Sequence, residues 1–283
     1  MIVDTEGNKK HIGTEIQFAE HINKLTCVEK YFREQCLSKG VEVSYDCIAG
    51  ESPYFKTLNY TTFAGLFICH PLQFELSFLQ IQDALMDDLD AIGHLEFIKT
   101  KHKSGKYDGA KIPFSESREY HMAVLTGGNK FQTLNWNKLL KLSNAETPLV
   151  VKPHPVSTPE DLDEIQRRLP RAVMAPRLSQ LYPIIEGASK VYTTHVSETA
   201  LTSHMLGKHT DFIDLYPHCM TGSFSHITYP LLSKRISLDQ LNKVFASAKS
   251  GVIHPEVDIL WRDKVDAYLD YILLQRNNHR GYL

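Results

Sequence analysis

The sequence has no apolar run near the roughly 18 residues that a membrane-spanning helix needs, so no transmembrane segment is expected. It has no Cys-x-x-Cys, and its five cysteines (Cys27, Cys36, Cys47, Cys69 and Cys219) are odd in number and irregular in spacing. That pattern argues against a disulfide framework or a structural zinc site. It suits free thiols in a reducing compartment, so a cytoplasmic location is expected. No HExxH occurs among the fourteen histidines. The two Asp-x-Asp pairs, Asp88 with Asp90 and Asp161 with Asp163, fall in helical context, so neither a metal site nor another cofactor is expected. Walker A and GxGxxG are also missing, which disfavours ATP hydrolysis and nicotinamide chemistry. Positive charge is not in excess: 31 Lys+Arg face 33 Asp+Glu, a net charge of -2. This excludes a surface coated for blanket nucleic-acid binding, though not a local basic patch. The segment Met1–Gly7 lacks a basic region followed by an apolar one, so no signal peptide is expected. No tandem repeat or low-complexity stretch is found.

The 283 residues, 42% hydrophobic and 23% charged, have a globular composition and suit two ordinary domains or one large one. Apolar side chains recur at helical spacing over 14–39, from Ile16 to Leu37, and Gly40 closes the segment. Val41–Tyr45 alternates like a strand. Thr61–Cys69 reads as one further buried strand, ending at His70-Pro71, and 72–93 reads as a helix. From 121 onward strands and helices alternate. Strands are expected at His121–Thr126, Pro148–Val151, Arg171–Ala175, Lys190–Thr194 and Asp211–Asp214. Helices are expected at Trp136–Leu142, from Thr158 to about Leu169, at Leu178–Ala188, and from Ser197 to Gly207. Thr158-Pro159-Glu160-Asp161 is a strong helix start, with a hydroxyl N-cap, proline at N1 and acids in the first turn. Units of this kind predict an α/β fold with a doubly wound parallel sheet. Two more amphipathic helices lie between Leu238 and Leu274, split by Gly251-Val252-Ile253-His254-Pro255.

In an open α/β sheet, ligands sit at the carboxyl ends of the strands. Three turns project there. Gly127-Gly128-Asn129-Lys130 has glycines that let backbone N–H groups approach an anion, or that serve the turn sterically. Lys152-Pro153-His154-Pro155 holds an imidazole between two prolines, beside an ammonium and ahead of a helix N-terminus. It forms either a phosphate site or a structural turn. Thr194-His195-Val196-Ser197-Glu198 sets a carboxylate at a helix N-terminus, where it can bind a ribose diol or only cap the helix.

Together VVKPHP (150–155), SKVYTTHVSETALTSHMLGK (189–208) and SGVIHP (250–255) resemble the donor-binding domain of GT-B glycosyltransferases. The closest likeness is to the sugar transferases of capsule-polysaccharide synthesis and their glycerophosphotransferase relatives. The likeness covers roughly 120–255, and Thr199 is inserted between Glu198 and Ala200-Leu201. It implies a GT-B-like fold of two Rossmann-like doubly wound domains facing a cleft. The boundaries would be an acceptor-side domain at 1–115, a nucleotide-sugar-binding domain at 116–258 and a C-terminal helix and tail at 259–283. It further implies a nucleotide-sugar donor, with Lys152 and His154 on its phosphates and Ser197 and Glu198 at its nucleoside end. Gly127, Gly128, Lys130 and Thr194 would complete the donor site. The nucleotide-sugar is a substrate, so no cofactor and no metal is implied. A catalytic base would come from a strand end of the N-terminal part: Asp4, Glu6, Glu51 or His70.

The acceptor is read from the stretch 99–111 (KTKHKSGKYDGAK). Its lysines Lys99, Lys101, Lys103, Lys106 and Lys111 form either a solvated linker or a contact for a polyanion. The second reading favours a hydroxymethylated base in double-stranded DNA, as in phage DNA-modifying transferases, and such a base would have to be flipped out. The alternatives are a transferase for a surface or capsule glycan, a non-catalytic nucleotide-sugar-binding module, and an epimerase acting on a UDP-sugar.

Overall fold

The computed structural model describes residues 2–3, 9–10, 15–45, 57–63, 66–71, 74–87, 119–155, 157–195, 197–215, 227 and 236–280. By its internal contacts the chain divides into two compact units. Unit 1 comprises Met1–Phe18 and His102–Cys219, and unit 2 comprises Ala19–Lys101 and Met220–Leu283. These bounds differ from those expected at 115/116 and 258/259. The chain begins in unit 1, passes to unit 2, returns to unit 1 and ends in unit 2, and sequence patterning does not reveal such returns.

Strands β1 (Ile2–Val3) and β2 (Lys9–Lys10) pair antiparallel. Helix α1 (Glu15–Ser38) buries Leu25, Val28, Phe32 and Cys36, one stripe at spacings of three and four. It ends where Gly40 takes φ +66 and the N–H of Val41 reaches back to the carbonyl of Cys36 at 2.8 Å. Next come β3 (Glu42–Tyr45), β4 (Thr57–Phe63), β5 (Leu66–Pro71) and α2 (Phe74–Leu85). The single strand expected at 61–69 is instead two, paired antiparallel with Phe63 opposite Leu66. The continuous apolar run conceals the reversal. Gly65, a residue that weakens a strand interior, is its only mark in the sequence.

Unit 1 is built on a five-stranded sheet. Its chain order is β6 (His121–Val124), a 3-10 helix (Gly128–Thr133), α3 (Trp136–Ser143), β7 (Leu149–Lys152), α4 (Pro159–Arg168) and β8 (Val173–Met174). Then follow α5 (Leu181–Gly187), β9 (Lys190–Thr193), α6 (Glu198–Met205) and β10 (His209–Phe212). The order across the sheet is β10-β9-β6-β7-β8, and every pairing is parallel. Ala123, Val151 and Tyr192 face Leu139 of α3 and Ile165 of α4. Met122, Val150 and Val191 face Ile184 and Ile185 of α5 on the other side. Both faces are therefore covered, which is why these strands read as apolar runs rather than alternating ones. Thr158 and Asp161 form the expected capping box at the start of α4.

Unit 2 is completed by α7 (Leu238–Ala246), a 3-10 turn (Ala248–Ser250), β11 (Val252–Ile253) and α8 (Trp261–Arg280). Its sheet order is β11-β5-β4-β3. Only β3 and β4 run parallel; β4 with β5 and β5 with β11 are antiparallel. Among the described residues unit 2 therefore has a mixed sheet, not the second doubly wound sheet expected. The Gly251–Pro255 segment, read as a break between helices, supplies a strand. Gly251 takes φ +71, and a Cβ there would lie 2.1 Å from the carbonyl oxygen of Cys69, so only glycine fits this entry into β11. Val28, Phe32, Tyr60, Phe67, Tyr268, Leu269 and Ile272 fill the core. No helix among the described residues is long and apolar enough to cross a membrane.

Candidate functional site

The strand order of unit 1 fixes where a ligand can enter. The connection from β6 leads to the face of α3, and that from β9 leads into α6. Successive strands are added outward from β6 on one side and from β9 on the other. Between β6 and β9 lies a topological switch point, the place at the carboxyl ends of the strands where open α/β sheets take their ligands. The three turns picked out in the sequence all follow strands on this edge.

After β6, Leu125 extends the ladder by donating to the carbonyl of Lys152 at 3.0 Å. Gly127 is extended, with φ -62, and is the N-cap of the 3-10 helix that contains Gly128 and Lys130. The turn thus does not need a glycine at Gly127 for its backbone angles. The side chain of Lys130 lies outside the described residues.

After β7, Lys152 is buried, and its ammonium donates to the carbonyls of Pro153, at 3.1 Å, and Arg177. Burial lowers its pKa to about 8. His154 is exposed, and its carbonyl accepts from the N–H of Ser157 at 2.9 Å, closing the turn that leads to the Thr158 cap. Arg177, in the loop after β8, is exposed and donates one N–H to the carbonyl of Ser157 at 2.8 Å. Lys152 and Arg177 thus tie the β7 and β8 loops in both directions.

After β9, Thr194 and His195 are fully buried. Ser197 is the N-cap of α6, accepting from the N–H of Thr199 at 3.2 Å, so its hydroxyl has the capping role that the sequence left open. Glu198 is the first residue of α6 and is half-buried. Asp214, just past β10, accepts two bonds on one oxygen, from the backbone N–H of His195 at 2.9 Å and from its ring Nδ1 at 2.8 Å. A carboxylate oxygen can only accept, so this ring carries a proton on Nδ1. The His195 ring also meets the Phe212 ring edge-on at 5.8 Å. The Thr126, Ser157 and Thr194 hydroxyls and the second oxygen of Asp214 are buried with no hydrogen-bond partner among the described residues. Buried polar atoms are normally paired. These four lie at four neighbouring strand ends of the unit 1 sheet.

Sequence reading missed Asp214 and Arg177 as site residues. The signal was there: each follows a strand of the same sheet on the same edge as the turns that were chosen. Of the proposed bases, His70 lies in unit 2, fully buried at the end of β5. Its Nδ1 lies 2.8 Å from the carbonyl of Pro71 and its Nε2 3.1 Å from the Asn59 amide nitrogen. The carbonyl requires a proton on Nδ1, and the amide N–H then donates to Nε2. Burial lowers the pKa to about 4. Both ring nitrogens are engaged and the ring is fully buried, which suits a structural role better than that of a base. Asp4, Glu6 and Glu51, and all of Lys99, Lys101, Lys103, Lys106 and Lys111, lie outside the described residues. Among the described residues no three His, Cys, Asp or Glu side chains are grouped to hold a metal ion. Cys27, Cys36 and Cys69 are free thiols. No protein-family model matches the chain, and no curated protein matches it in sequence.

Proposed function

We propose that the chain is a glycosyltransferase that moves a sugar from a nucleotide-activated donor to an acceptor hydroxyl. The donor lies along the carboxyl edge of the unit 1 sheet. Its phosphates meet the turn after β7, which carries His154, and its nucleoside end meets the Ser197–Glu198 turn beside the switch point. The reading rests chiefly on one observation: β9, β6 and β7 are adjacent and parallel, so the turns that follow them share one edge, with the sheet order reversing between β6 and β9. The KPHP and HVSE sequences give that edge an imidazole and a carboxylate suited to phosphate and diol recognition. Positioning and electrostatic stabilisation of the leaving phosphate would supply most of the catalysis. The base is sought at Asp4, Glu6 or Glu51. The acceptor we favour is a hydroxymethylated base in double-stranded DNA, on the strength of the lysines at 99–111.

A thermal-shift panel of UDP, GDP, CDP and CMP tests the donor half of this reading. One nucleotide, present at about 100 times its dissociation constant, should add about 2.7 kcal/mol of stability. If none of the four shifts the transition, the donor reading fails. Sugar transfer to a hydroxymethylated duplex, but not to an unmodified one, is the corresponding result for the acceptor.

A further inference from the structure

The cation expected to meet the donor phosphate was Lys152, yet its ammonium is buried and directed at backbone carbonyls. A lysine has three N–H donors, and two of these are spent on the Pro153 and Arg177 carbonyls. The side chain works as a tie between the loops after β7 and β8. Arg177 differs in each respect. It is exposed, and among the described residues its guanidinium has one hydrogen bond, from Nη1 to the Ser157 carbonyl. Four of its five N–H donors remain. That single bond also fixes its place. Ser157 is joined to His154 by the hydrogen bond that closes the turn, and Thr158 is the N-cap of α4. The backbone of Arg177 is itself pinned by the Lys152 ammonium. The guanidinium is therefore held on the same short turn as the exposed imidazole, and the hydroxyl of Ser157, whose carbonyl it meets, is buried and lacks a partner among the described residues.

We propose that Arg177, rather than Lys152, is the cation that binds the phosphate of an anionic ligand at the His154 turn. This inference rests on the donor-binding reading above and adds a residue to it. A guanidinium anchored by one N–H presents the rest of its planar fork, which matches two phosphate oxygens at once. An ammonium acts only as a point charge. The ligand class is a phosphate ester or diphosphate whose oxygens are free to accept two parallel bonds. Lys152 contributes by orienting the loop that carries Arg177.

The test is calorimetric titration of the full chain at fixed salt with inorganic pyrophosphate and with UDP, GDP, CDP and CMP. Arg177→Gln should weaken the tightest of these probes by about tenfold or more, the usual scale for a charge-assisted bond. Arg177→Lys keeps the charge but not the fork and should recover only part of the loss. It also serves as the reporting variant if Arg177→Gln does not fold. Arg171→Gln, at the opposite end of β8, removes an equal charge and should leave the affinity within about twofold. If the wild type binds a probe and the Arg177 variants bind it equally well, the inference is overturned and the donor site stands. Equal losses from Arg171 and Arg177 would also overturn it, since diffuse charge would then explain the binding. If the wild type binds none of the five probes, the inference and the donor reading both fall.

Discussion

Asp214→Ala is expected to lower the stability of unit 1 by about 3 to 5 kcal/mol, more than its small side chain would suggest. One oxygen of this carboxylate holds both the main-chain N–H and the ring Nδ1 of His195, where the two side chains are 1% and 0% exposed. Removing it leaves two buried donors unpaired, and each buried hydrogen bond to a charged group is worth about 1.5 to 3 kcal/mol. The backbone around Asp214 also joins the two sides of the switch point. Leu134 bridges to Asp214, Asn135 donates to the Ile213 carbonyl at 2.7 Å, and Ile213 donates to the Thr193 carbonyl at 3.0 Å. Loss of the carboxylate should therefore loosen the Thr194–Ser197 turn first. The two tryptophans make the measurement simple, because Trp136 reports on unit 1 and Trp261 on unit 2. In urea titrations of the form that keeps only Trp136, the transition should move to lower urea in Asp214→Ala. Asp214→Asn keeps an accepting oxygen and should lose only about half as much. If both variants melt like the parent, the His195–Asp214 pair does not hold the turn.

Unit 2 should lose about 3 kcal/mol of stability as the pH falls from 7 to 4, through His70 alone. The ordinary histidine pKa is about 6.5, and in the fold burial lowers that of His70 to about 4. Between those values the unfolded chain binds the proton and the native ring does not, so stability rises with pH across the window. The contribution is fully present above about 6.5 and gone below about 4. His70→Gln, read at Trp261, should flatten the slope over this window by close to one proton while other histidines contribute equally to both forms. An unchanged slope would mean that the ring takes up its proton inside the fold. It would then return His70 to the list of possible bases.

The parallel sheet was legible because each strand is buried on both faces and each following helix announces itself. Thr158-Pro159 starts one helix, Ser197 caps another, and Gly207, at φ +66, closes it. Sheet order was not legible. Nothing local in Lys190–Thr193 says that it lies beside β6 rather than beside β8, and it is that choice which creates the switch point. The reversal between β4 and β5, and the return of Val252–Ile253 to pair with β5, are long-range facts of the same kind. Residue type picked out the His154 and Glu198 turns, which do fall on one edge of the sheet, but it does not reveal that Lys152 is long enough for its ammonium to reach the Arg177 carbonyl instead of solvent. Arg177 and Asp214 also follow strands on this edge, but no motif surrounds either of them in the sequence.

The most direct test of the central claim is amide hydrogen exchange of the full chain, with and without the nucleotide that gives the largest thermal shift. If the ligand occupies the carboxyl edge of the unit 1 sheet, slowed exchange will concentrate in 125–130, 154–158 and 194–200, the turns after β6, β7 and β9. Protection confined to 42–71 and 236–280, with those three turns unchanged, would contradict it.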